Sequence, residues 1–508
     1  MKKTLRLFFA VFIIGISANA FAQRYVSENF TNVKTTDQVV YGQNWTVITI
    51  PITGSQSLQD LQMTVYEPAG DTVSERPLVI FIHTGSFLPK GVNSSTTGER
   101  QDSAAVEICR QLAKRGYVAA AMSYRLGWNP LGTQDERTGT LINSVYRAIQ
   151  DAKVAVRYFR KGYSNDGNPY GIDPNSITLM GQGSGGYIAL AYATLDKGQE
   201  IQLTKFFDFS QAPPVPYVDT LVAGNYDAFG GDPAWNYENH VGYANDINLV
   251  VNLGGALGDS SWLEQGDVPM VSFHCPSDPF APYAFGPVIV PTTGDFVVDV
   301  SGSYEVARIS NQFGNNDVLV NAGFNDVFTQ RANAVNDGYE GLFPFVLSTA
   351  QSAPWEWWDP NDPNHSSSIQ TNPDMSKTKA MAYIDTIMGY FNPRAVEVLG
   401  LDTSTAYIDP NDDKDTTIIW VGKEEMFVED GVKIYPNPSN SLVNIYSNNP
   451  QNLILNVELY DMTGKAVKTE NGINSLVYSF SKTNLPAGLY FIHVKFENST
   501  ATRKVIFR

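Results

Sequence analysis

The sequence predicts an α/β protein with a mostly parallel sheet and helices on both faces, followed by a small all-β domain of the sandwich type. Three observations predict it. Short uncharged apolar runs, such as Leu78–Ile82, alternate with segments whose apolar residues recur at helical spacing; strands covered on both faces read this way. From about Val432 the pattern changes to brief strand-like runs cut by turns at Pro438-Ser439-Asn440, Met462-Thr463-Gly464 and Pro486-Ala487-Gly488. Finally, 508 residues with 43% apolar and 17% charged side chains provide core for two or three domains, and are too hydrophobic for a disordered chain.

The elements follow in order. Lys2, Lys3 and Arg6 precede the apolar run Leu7–Ile16 and the small-residue site Ala20-Phe21-Ala22, so residues 1–22 read as a secretory signal peptide. Thr46-Val47-Ile48-Thr49-Ile50 is wholly β-branched and reads as the first strand. Leu61–Tyr66 alternates as a half-buried strand, and Leu78–Ile82 and Val118–Ser123 are buried ones. Ala104–Arg115 carries Ile108, Cys109 and Leu112 on one face and ends at Gly116, as a helix does. Val145, Ile149, Ala152, Val156 and Phe159 mark a helix over Leu141–Lys161. Ile177–Met180 is a strand, Tyr187–Leu195 an apolar helix, Ile247–Leu253 and Pro269–Phe273 two further strands, and Met381–Phe391 a closing helix. This gives a large domain over residues 23–400, with aromatic-rich insertions at about 195–246 and 322–363 that could cap a pocket. An acidic linker follows over 401–431, then the β domain over 432–508. Asp409–Asp415 in the linker lacks the ligand spacing of an established Ca²⁺ loop.

Composition narrows the function. A net charge of −17 argues against nucleic acid and anionic membrane as main partners. Two cysteines, Cys109 and Cys275, exclude a disulfide framework and thiolate metal clusters. No His/Asp/Glu spacing suggests a catalytic metal, and no cofactor motif is present. No stretch after the signal is apolar for long enough to span a bilayer.

In a parallel sheet of this kind, ligands bind beyond the C-terminal strand ends. Those ends carry His83-Thr84-Gly85-Ser86-Phe87, then Tyr124-Arg125-Leu126-Gly127, then Met180-Gly181-Gln182-Gly183-Ser184-Gly185-Gly186, the last behind Tyr170-Gly171-Ile172-Asp173-Pro174-Asn175. Over roughly Gln43–Arg394 this ordered set resembles the α/β-hydrolase fold, in particular carboxylesterases and hormone-sensitive-lipase-like proteins. The resemblance implies an oxyanion turn at Thr84 and Gly85, whose backbone N–H groups face a developing negative charge. It implies a nucleophile elbow whose glycines are Gly181 and Gly185, which places Gly183, not a serine, at the nucleophile position. A register shifted by one makes Ser184 the nucleophile. Asp278, after the Pro269–Phe273 strand, matches the acid that orients the base. Of five histidines, only His365 follows Asp278 within the domain, so chain order makes it the expected base.

The C-terminal segments Lys433–Pro438, Val457–Lys465, Leu485–Tyr490 and Lys504-Val505-Ile506 resemble the sorting domain read by the type IX secretion system of Bacteroidetes-type bacteria. That implies the type IX machinery as a partner, passage through the periplasm, and release or attachment at the outer-membrane surface. Two functions stay open. One is a secreted carboxylic-ester hydrolase with Ser184, His365 and Asp278. The other is a catalytically inactive hydrolase-fold protein that binds a small ester-like ligand or a cell-surface partner.

Overall fold

The computed structural model describes residues 23–290, 293–404 and, beyond them, 432–435, 439, 442–447, 453–461, 465–482, 485–496 and 500–507. The signal segment 1–22 and most of the linker, 405–431 with its Asp409–Asp415 run, lie outside the described residues, as do Pro438 and Asn440 of one expected turn and the whole of the expected turn Met462–Gly464. The chain divides into two compact units, Met1–Ile418 and Ile419–Arg508.

The large unit is built on an eight-stranded sheet. Its strands are β1 (Val33–Thr46), β2 (Ser57–Pro68), β3 (Arg76–Ile82), β4 (Val118–Met122), β5 (Ile172–Gln182), β6 (Leu249–Leu253), β8 (Met270–His274) and β11 (Leu342–Pro344), in the spatial order β1-β2-β4-β3-β5-β6-β8-β11. β1 and β2 run antiparallel to their neighbours, and the remaining pairs are parallel. Alternation sorts each strand between two cores. Leu78, Ile80 and Ile82 of β3 join one cluster, while Val79 and Phe81 join the other. Helices α2 (Gln134–Asn165) and α3 (Ser184–Thr194) cover the first face through Ile149, Val156 and Ile188. Helices α1 (Ser103–Lys114) and α5 (Lys377–Leu399) cover the second through Ile108, Leu112, Ile384 and Phe391. Thr133 and Glu136 form a reciprocal capping box that starts α2. The buried Arg125 guanidinium sits 2.9 Å from the Asp151 carboxylate and ties the end of β4 to α2.

A second, three-stranded antiparallel sheet stands on the strand-end side. It comprises β7 (Ala256–Leu257), β9 (Phe285–Ile289) and β10 (Phe296–Gly302), and leads into α4 (Ser303–Gln312). Cys109 and Cys275 are free thiols, both buried in the second core.

Several expectations need correction. Thr46–Ile50 is not a strand: β1 ends at Thr46, and the β-branched run leads into a short helix, Ile50–Thr53, with Pro51 in its first turn and no buried residue. With no face to bury, β-propensity does not decide the structure. The stretch 322–363 is not wholly a cap, because β11 inside it is the last strand of the main sheet.

The C-terminal unit contains a three-stranded sheet (Val432–Tyr435, Leu442–Ser447, Val477–Ser481) and a four-stranded one (Ile454–Tyr460, Ala466–Ser475, Gly488–Lys495, Thr500–Phe507), both antiparallel. Val443, Ile445 and Phe480 of the first share a core with Val457, Ile492 and Val505 of the second. This is the expected small all-β domain.

Candidate active site

β5 ends at Gln182 and α3 starts at Ser184, so a single residue, Gly183, makes the strand-to-helix turn. Its φ of 53° and ψ of −117° lie in a region that side chains other than glycine's enter only with strain. The flanking glycines are needed for space. A Cβ on Gly181 would lie 1.9 Å from the Gly185 carbonyl oxygen, and one on Gly185 would lie 2.0 Å from that of Ile82. The turn therefore has the geometry of a nucleophile elbow, with Gly183 at its tip.

Ser184 is one residue further on, inside the helix and 6% exposed. Its Oγ is 2.9 Å from the Tyr124 hydroxyl, and that hydroxyl donates to the His83 carbonyl oxygen at 3.0 Å. The Ser184 proton is thus donated to Tyr124. Burial pushes the Tyr124 phenol well above its usual range, so this acceptor is no base. The position where a nucleophile's side chain would begin is already filled: a Cβ on Gly183 would meet Thr84 Oγ1 at 2.2 Å.

The turn at Thr84 and Gly85, expected to face an oxyanion, follows β3. Gly85 has a φ of +134° and packs so closely that its Cβ would lie 2.8 Å from the Gly98 Cα. The His83 ring stacks on Tyr124 with centroids 4.6 Å apart, and burial holds its pKa at about 4, so the imidazole is neutral.

Asp278 lies in the turn after β8. Its Oδ1 accepts from the Phe280 and Ala281 amides at 2.7 and 3.2 Å, and its Oδ2 accepts from the Ser352 hydroxyl at 2.8 Å. Burial raises its pKa, while nearby His274 and these hydrogen bonds work in the opposite direction. His365 is not among the partners of Asp278. It opens a short helix, His365–Ser368, and its Nδ1 accepts from the Trp358 indole N–H at 3.1 Å. The expected Asp278–His365 pair is therefore not formed. The loop after β11 brings Ser352 to the carboxylate instead. The other histidines of the unit are also committed. His240 Nε2 is 2.7 Å from the Tyr41 carbonyl oxygen, and His274 lies between Ser303 Oγ and the Ala281 carbonyl oxygen.

Part of this set lines a cavity of about 490 Å³. Thr84, Gly183, Ser184 and Ser352 are on its wall at one end; α2 and the β9–β10 hairpin supply apolar side chains such as Leu141, Ile149, Val298 and Val300. The expected cap 195–246 contributes Ile201, Phe206 and Val218, and the hairpin is a contributor that sequence reading missed. A second missed residue is Glu356, which also lines the cavity. Gln182 donates its amide to Glu356, whose pKa is pushed to about 8, first by burial and then by the charge of Asp102. No group of three or more His, Cys, Asp or Glu among the described residues is placed to hold a metal.

A profile of the BD-FAE family matches residues 63–223, a stretch that includes Thr84, Gly85 and the Gly181–Gly185 turn, and the secretion system C-terminal sorting domain matches residues 433–508. The chain carries an α/β-hydrolase domain and a secretion sorting domain. Among curated proteins, mouse carboxylesterase 3B is 32% identical over 130 residues, a match spanning 25% of this chain and only 19% of that protein. Among solved structures, esterase 2 of Thermogutta terrifontis is 16% identical over 68% of this chain and 94% of its own, with a TM-score of 0.34. An α/β-hydrolase enzyme from a Medee basin deep-sea metagenome is 12% identical over 73% of this chain and 100% of its own, with a TM-score of 0.36. The sorting domain makes the secretion machinery a partner of the chain and directs it to export, at the cell surface or outer membrane. Among the described residues no helix is long and apolar enough to cross a membrane.

Proposed function

We propose that the hydrolase domain is an exported ligand-binding domain that holds a largely apolar molecule in its cavity without cleaving it. One observation carries this reading: the elbow tip is Gly183, which has no atom with which to attack a carbonyl. Two further substitutions agree with it. Thr84 Oγ1 fills the space a nucleophile's side chain would need, and the acid Asp278 orients Ser352, which cannot take a proton as an imidazole does. Export through the type IX pathway, with a signal peptide over residues 1–22, then places the cavity outside the cell.

The carboxylesterase named among the relatives suggests esters as the ligand's ancestry, and esters are therefore the substrates to try. Short p-nitrophenyl esters should be hydrolysed by the full chain at the same rate as by Ser184→Ala, both at the level of an inactive control protein. Turnover by the natural chain that Ser184→Ala abolishes would overturn the proposal and establish the shifted elbow.

A further inference from the structure

The exported chain carries no disulfide, since Cys109 and Cys275 are free and buried. One side-chain pair is nevertheless placed for a covalent link of another kind. Lys379, in the first turn of α5, donates from Nζ to Asn372 Oδ1 at 2.5 Å. Asn372 is 2% exposed. Its Nδ2 donates to the backbone carbonyl oxygens of Glu356 and Ala353, at 3.2 and 3.3 Å. Acceptors on one side and a donor on the other fix which end of the amide is oxygen. They also hold its carbonyl toward the lysine. Cγ lies one C=O bond, about 1.2 Å, beyond Oδ1, so Nζ stands at most about 3.7 Å from an acyl carbon. Attack on a carbonyl starts from about 3–3.5 Å.

Such an attack needs an amine with a free lone pair. Burial pulls the Lys379 pKa down to about 8, against the opposing charges of Asp374 and Glu356. Roughly a tenth of that amine is unprotonated at pH 7, against well under one in 10³ for an ordinary lysine. The two carboxyls do not undo this. Asp374 is turned to Ser376, whose amide it accepts at 3.0 Å. Glu356 is itself pushed to about 8, by burial first and then by Asp102. It is mostly uncharged at neutral pH and does not hold the lysine as an ammonium.

We infer that Lys379 and Asn372 form an intramolecular isopeptide bond. The Nζ lone pair attacks Cγ, one Nζ proton passes to Nδ2, the Cγ–Nδ2 bond breaks, and ammonia leaves. The new amide joins Nζ to Cγ and keeps Oδ1 as its carbonyl oxygen. No oxidant or further reactant is consumed. Thr371, beside the link, accepts from the Ser352 amide at 2.9 Å. The bond therefore anchors to α5 the loop that carries Ser352, Trp355 and Glu356 on the cavity wall.

The test is a tryptic peptide map of the full chain, digested after denaturation. Cleavage after Lys377 puts Asn372 and Lys379 in different peptides, 332–377 and 378–394, and a linked Lys379 is not cut. The expected result is that the two peptides are recovered as one species, lighter than their sum by one ammonia, with fragmentation placing the link at Asn372 and Lys379. Lys379→Arg keeps a hydrogen-bond donor and removes the nucleophile. In that variant the region should be recovered as separate peptides of full mass. Separate peptides from the natural chain, with cleavage after Lys379, would overturn the inference. So would an ammonia loss in this region that persists in Lys379→Arg. The natural chain is read directly, so the result stands whether or not the variant folds.

Discussion

The triple variant Thr84→Gly, Gly183→Ser, Ser352→His should hydrolyse p-nitrophenyl esters at least about 10²-fold faster than Gly183→Ser alone, because a positioned general base contributes on that scale or above. Each substitution answers an obstacle in the structure. Gly183→Ser supplies the nucleophile at a backbone conformation, φ 53° and ψ −117°, that elbow serines tolerate under strain. Thr84→Gly removes the Oγ1 that lies 2.2 Å from the new Cβ position. Ser352→His places an imidazole where Asp278 already presents Oδ2 as an acceptor. The single Gly183→Ser variant should stay near background, since no described histidine is bonded to Asp278. Initial rates of the natural chain and of the single, double and triple variants, measured in parallel, check the order. If Gly183→Ser alone gave the full activity, Ser352 would not mark the vacant base position.

Removing residues 432–508 should abolish delivery to the cell surface and leave the hydrolase domain in the periplasm. The matched sorting domain covers 433–508, and the hydrolase domain has two cores of its own within the other compact unit. Fractionation of cells that express the full and truncated chains, with surface protease accessibility as readout, measures the effect. Surface exposure of the truncated chain at normal level would contradict the role of the module.

Much of the sheet was legible because its parallel strands are buried on both faces and so appear as bare apolar runs, as in Leu78–Ile82. β1 was not. It is an edge strand, paired on one side only, and its sequence VKTTDQVVYGQNWT has the polar character that half-exposed edges take. β11 is three residues long, below what any periodicity resolves. The tight turn after β5 was legible as a spacing of glycines, since Gly181 and Gly185 stand where a Cβ would strike neighbouring backbone. The side-chain partner of Asp278 was not, for a different reason. A search by residue type finds only histidines, and His365 satisfied chain order. Ser352 reaches Asp278 by tertiary placement of the loop after β11, across 74 positions, and a serine in a loop carries no signal of it. Glu356 likewise sat unnoticed among Trp355, Trp357 and Trp358, because its environment comes from Gln182 and Asp102 on distant elements.

The most direct test of the central claim, that the elbow carries no nucleophile, is intact-mass analysis of the purified chain after incubation with a fluorophosphonate. An activated serine attacks the phosphorus, expels fluoride and retains the phosphonyl group, whereas a serine hydroxyl bonded to Tyr124 and away from any base does not. The account predicts an unchanged mass for the natural chain. A single phosphonyl adduct mapped to Ser184 would contradict it.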